Sequence, residues 1–152
     1  VGAAYLLSEG QLVIGGIVML AGAIMDMFDG AVARMTNTAS TFGAYWDSVL
    51  DRLGEAAVLF GLLVFYVRDA HELGAFLAFG TVVLSIMVSY SRARAEGLNV
   101  PGDVGIMGRP ERVVVMGAGL LTQYPEYAMG LIMAVSAVTL TQRTLHVRRN
   151  TD

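Results

Sequence analysis

The chain has 152 residues, 55% of them hydrophobic and 15% charged, with a net charge of −3, no Cys and no Lys, so that all ten basic residues are Arg. Its mean hydropathy of +0.61 is that of a membrane protein rather than a soluble one. Disulfide frameworks and thiol chemistry are excluded, and with no basic tract there is no expected nucleic-acid partner.

The length suits one transmembrane catalytic domain, 1–152. Residues 1–7 are apolar but too short to span a bilayer, and they read as the tail of a truncated first helix. A turn at Ser8-Glu9-Gly10 precedes a helix predicted over about 11–35, apolar from Leu12 to Met25 and then abruptly acidic. At 1.5 Å per residue, Asp26 lies roughly 22 Å along that helix, near the far edge of a hydrocarbon core. A polar Ser/Thr/Asn connection leads into a second helix over about 42–67. Helices over about 73–95, 110–121 and 127–147 follow, with Pro110 placed to open the fourth. The segment 98–108, with Pro101, Gly102, Gly105 and Gly108, reads as a loop. His71, in a short polar connection, reads as a solvated loop residue.

Nine of the Arg residues (Arg34, Arg52, Arg92, Arg94, Arg109, Arg112, Arg143, Arg148 and Arg149) fall at one membrane face when the loops alternate, and only Arg68 falls at the other. By the positive-inside rule the nine-Arg face is cytoplasmic. The expected location is the plasma membrane, multi-pass, with the acidic stretch facing the cytoplasm.

That stretch holds four carboxylates. Asp26 and Asp29 are three residues apart, and Asp47 and Asp51 are four apart, so each pair shares one helical face. Four such charges in an apolar setting repel one another, and desolvation raises the cost. Only Arg34 and Arg52 lie nearby in sequence to balance them. Hard divalent cations resolve the conflict. An oxygen-only ligand set suits Mg²⁺ or Mn²⁺, as two ions, and also accepts Ca²⁺. A divalent-cation transporter would carry intramembrane acids too, but these lie at one face rather than at the midplane.

The spacing D-x2-D-G-x2-A-R-x8-G-x3-D-x3-D is met by Asp26, Asp29, Gly30, Ala33, Arg34, Gly43, Asp47 and Asp51. This pattern resembles the signature of the CDP-alcohol phosphotransferases, integral membrane enzymes of phospholipid synthesis. The resemblance implies an all-α bundle of six transmembrane helices, the first largely missing here, and a homodimer. It implies that Asp26, Asp29, Asp47 and Asp51 hold the metal ions and that Asp51 also takes the proton of the attacking hydroxyl. Gly30, Ala33, Arg34 and Gly43 would then receive the CDP-lipid. The segments S-Y-S-R-A-R-A-E-G-L and G-I-M-G-R-P-E-R resemble the phosphatidylinositol-phosphate synthase branch and its archaeal relatives, although Arg92 stands where Lys is common. That likeness implies CDP-diacylglycerol as donor and inositol 1-phosphate as acceptor, the acceptor phosphate being held by Arg92, Arg94, Arg112 and Arg148. The alternatives are glycerol 3-phosphate as acceptor and CDP-archaeol as donor. For Arg109, Arg143 and Arg149 the expectation is a topological role only.

Overall fold

The computed structural model describes the backbone of residues 1–35 and 40–151, and the side chains of 1–28 and 40–151. The described residues form six helices and no strand: α1 (Gly2–Ser8), α2 (Leu12–Met35), α3 (Thr41–Arg68), α4 (Glu72–Glu96), α5 (Arg109–Leu121) and α6 (Pro125–Thr151). The last helix runs four residues beyond its expected end, so Arg148 and Arg149 lie on α6 rather than after it.

Local chemistry accounts for the helix ends. Ser40 caps α3, its Oγ accepting the Gly43 N–H at 2.9 Å. His71 caps α4 in the same way, its Nδ1 accepting the Gly74 N–H at 3.0 Å. It is therefore a helix cap rather than a merely solvated loop residue. At α5 the Glu111 carboxylate accepts the Gly108 N–H at 2.9 Å, and Pro110 occupies the first turn, where its missing N–H costs nothing.

The main helix contacts run round a closed ring in the order α1, α2, α5, α6, α4, α3 and back to α1. Leu7, Leu59, Leu62, Leu120, Met129 and Ile132 fill its interior. Small residues set the closest approaches. A Cβ at Gly61 would overlap the Ala4 backbone, and one at Gly117 would overlap the Leu20 side chain. Helices that cannot rely on water to drive them together use such close backbone contact. The outer surface carries Phe60, Phe76, Phe79 and Leu131, all more than half exposed. A rim this apolar suits lipid rather than water. The helices Glu72–Glu96 and Pro125–Thr151 are long and apolar enough to cross a membrane.

The loop between α4 and α5 is fastened from α6. Arg143 is buried, and its Nη1 donates to the Val88 carbonyl and, at 3.2 Å, to Ser91 Oγ, while its Nε donates to the Val104 carbonyl at 3.1 Å. One turn earlier, Thr139 Oγ1 accepts the Met107 N–H at 3.2 Å. Between these anchors Gly105 adopts φ +134°, open only to glycine, with Thr139 packed where a Cβ would stand. These contacts fix where α5 begins and hence where Arg109 stands. Arg143, expected to serve topology alone, is a structural clamp.

Candidate metal and substrate site

Three carboxylates from two helices meet in one cluster, and two of them, Asp26 and Asp51, line a cavity of ≈ 380 Å³. Asp26 comes from the middle of α2, and Asp47 and Asp51 come from the first turns of α3. One oxygen from each lies within 4.8 Å of the others. Oxygens on opposite sides of a hexacoordinate Mg²⁺ are about 4.2 Å apart, so small rotamer changes would let the three share an ion. The donor set is all oxygen and anionic, which fits Mg²⁺ or Mn²⁺ and not a thiophilic metal.

Helix α5 supplies the compensating charge. Arg109 Nη2 lies 2.7 Å from Asp51 Oδ1, and its Nη1 lies 3.4 Å from Asp26 Oδ2. Its Nε is buried without a hydrogen-bond partner among the described residues. Three residues on, Arg112 is 2% exposed and grips Glu55 side-on, Nε to Oε1 at 2.6 Å and Nη2 to Oε2 at 2.9 Å. Glu55 follows Asp51 by four residues on α3, so the two helices meet through two ion-pair rungs one turn apart. Beyond the charged end the cavity wall is apolar, with Val18, Met19, Val58, Leu59, Met116 and Ile132 among its lining. A ligand with a charged head and a hydrocarbon body matches this division.

The remaining residues named from the sequence stand as follows. The side chains of Asp29, Ala33 and Arg34, and the surroundings of Gly30, lie outside the described residues. Gly43 is exposed in the first turn of α3, and a Cβ there would meet its own cap, Ser40 Oγ. Arg92 is exposed and pairs with Glu96 within α4 at 2.9 Å. Arg94 and Arg148 are exposed. Arg92 and Arg112 both lie near enough to Arg143 to interact with it electrostatically, so basic side chains from α4, α5 and α6 share one end of the bundle. Arg109 and Glu55 were not foreseen as site residues. The signal for Glu55 was available, since Asp47, Asp51 and Glu55 recur at four-residue steps.

Beside Asp47, the Trp46 indole stacks on Phe42, ring centres 6.4 Å apart and planes 8° apart, and about half of its surface is exposed. Exposed aromatic rings at a helix start are frequent where a membrane meets water.

The family model for CDP-alcohol phosphatidyltransferase matches residues 1–142. The phosphatidylinositol phosphate synthase of Mycolicibacterium smegmatis is 39% identical over 160 aligned positions, covering 97% of this chain and 71% of that protein. The crystal structure of Mycobacterium tuberculosis phosphatidylinositol phosphate synthase with CDP-DAG bound superposes with a TM-score of 0.86 at 33% identity, covering 96% of this chain and 78% of the other. The same enzyme in complex with manganese and citrate gives a TM-score of 0.88 at 32% identity, covering 96% and 75%.

Proposed function

The chain belongs to the CDP-alcohol phosphatidyltransferase family, and from that premise we propose that it transfers the phosphatidyl group of CDP-diacylglycerol to inositol 1-phosphate, forming phosphatidylinositol phosphate and releasing CMP. One observation carries the reading. A cluster of carboxylates suited to hard cations lies at the charged end of an otherwise apolar cavity. A lipid-linked nucleotide has that same division of chemistry.

Bound Mg²⁺ or Mn²⁺ would neutralise the pyrophosphate and stabilise the departing CMP. Asp26, Asp29, Asp47 and Asp51 would hold the ions. Gly30, Ala33, Arg34 and Gly43 would receive the CDP portion, and small residues there let a nucleotide approach the helix backbone. Arg92, Arg94, Arg112 and Arg148 would bind the phosphate of the acceptor, as guanidinium groups do in paired donor geometry. Arg112 pairs with Glu55 through its Nε and Nη2 and lines the cavity, which supports a phosphate at its Nη1 edge. Asp51 accepts the proton of the inositol hydroxyl as its oxygen attacks the lipid-bearing phosphorus. The bond from that phosphorus to CMP breaks, and CMP leaves with the electron pair.

In the same reading the protein is a multi-pass homodimer in the plasma membrane, its site facing the cytoplasm. The test is CMP release from CDP-diacylglycerol with phosphorylated and neutral alcohols, each with and without chelator. Inositol 1-phosphate with a divalent cation is the combination expected to turn over. Turnover with glycerol 3-phosphate instead would reassign the acceptor, and turnover in full chelator would remove the metal from the reaction.

A further inference from the structure

Resting on this reading of the metal centre, we propose that Glu55 is a positioning residue for it. Its carboxylate holds the Arg112 guanidinium side-on and keeps that positive charge from competing with divalent cations for Asp51.

The geometry behind this is the pair of rungs between α3 and α5. Asp51 and Glu55 are one turn apart on α3, and Arg109 and Arg112 are about one turn apart on α5. Arg109 already pairs with Asp51 at 2.7 Å. Arg112 is 2% exposed, so water screens its charge poorly and a protein carboxylate compensates it. Glu55 does so with both oxygens. Without that carboxylate, the next acid along the same face of α3 is Asp51, within reach of a side chain as long as Arg. Asp51 would then face two guanidinium groups, and a cation would have to displace both. Even if Arg112 stayed in place, its uncompensated charge would repel a divalent ion one turn away. Glu55 therefore allows a phosphate-binding arginine and a cation-binding aspartate to be neighbours. It stands outside the eight-position aspartate motif, so the role comes from its place opposite Arg112.

The test is direct Mn²⁺ binding to the purified full chain in detergent, read from loss of the free-ion electron paramagnetic resonance signal. The proteins are wild type, Glu55→Gln, Arg112→Gln and the double variant. Gln keeps the shape of Glu55 and one acceptor for Arg112, so folding is expected to persist. Glu55→Gln is expected to raise the Mn²⁺ Kd about tenfold, from one uncompensated charge at helical-turn distance. The double variant is expected to return to within about threefold of wild type, because the competitor has gone. Arg112→Gln alone is expected to bind Mn²⁺ at least as tightly as wild type. Wild-type affinity in Glu55→Gln overturns the proposal, as does a double variant as weak as Glu55→Gln. If Glu55→Gln does not fold, Arg112→Gln decides: weaker Mn²⁺ binding than wild type overturns the proposal. Failure of the wild type to bind Mn²⁺ overturns the metal centre itself, an outcome distinct from these.

Discussion

Arg109 Nη2 lies 2.7 Å from Asp51 Oδ1, and the same guanidinium reaches Asp26 Oδ2 at 3.4 Å, so one side chain of α5 ties the acids of α2 to those of α3. In the absence of cations this bridge offsets the mutual repulsion of the carboxylates. Arg109→Gln removes it and should lower the stability of the metal-free protein by about 1–3 kcal/mol. Mn²⁺ should recover most of that loss. Thermal unfolding in detergent, with and without chelator, checks it. Equal destabilisation with and without Mn²⁺ would show that Arg109 and the cations do not serve the same carboxylates.

Asp51→Asn should abolish CMP release while leaving the protein folded. An amide keeps the shape and one acceptor oxygen but neither takes up the hydroxyl proton nor holds a cation well. A loss of about 10²–10⁴-fold in kcat is the range for a removed general base. Retention of substantial turnover, with folding verified by size-exclusion chromatography and circular dichroism, would remove Asp51 from the chemistry.

Arg112→Ala should raise the KM for the phosphorylated acceptor far more than that for the CDP-lipid. A bidentate-capable guanidinium is lost from the phosphate position, and the donor pocket keeps its other groups. Equal changes in the two KM values would leave Arg112 with a structural role alone.

Arg143→Met should cost about 2–4 kcal/mol of stability. The chain keeps a side chain of similar length but loses the donors that hold Val88, Ser91 and Val104 together. The loop before α5 would loosen with it, and limited proteolysis between residues 97 and 108 should accelerate. Wild-type melting and cleavage rates would show that Thr139 and Gly105 anchor the loop without help.

Gly61→Val should destabilise the bundle by about 1–3 kcal/mol, because the added methyl groups meet the Ala4 backbone and no flexible side chain can yield. Thermal unfolding of the variant in detergent is the measurement. An unchanged melting temperature would mean that α1 moves away from α3 without penalty.

The sequence revealed the aspartates because helical periodicity is local. Spacings of three and four residues within one helix are visible without knowing the fold, and so was the all-helical architecture, through long apolar runs broken by Gly, Pro and polar turns. The partners of those aspartates were hidden for the opposite reason. Arg112 and Glu55 are 57 residues apart, and Arg109 and Asp26 are 83 apart. Only the ring of helices brings them together. Charge counting by membrane face assigned Arg109 and Arg143 to topology, since that rule sees which end of a helix a residue occupies and not which side it faces. For Arg143 a local clue existed: Ser136, Thr139 and Arg143 recur at steps of three and four residues, marking a polar stripe on an apolar helix. The structure buries all three.

The ring stack of Phe42 on Trp46 has a practical consequence. Trp46 is the sole tryptophan in the chain, and it directly precedes Asp47. Intrinsic emission excited at the red edge therefore originates from a single indole next to the acidic cluster, and titrations can be followed optically without attaching a dye.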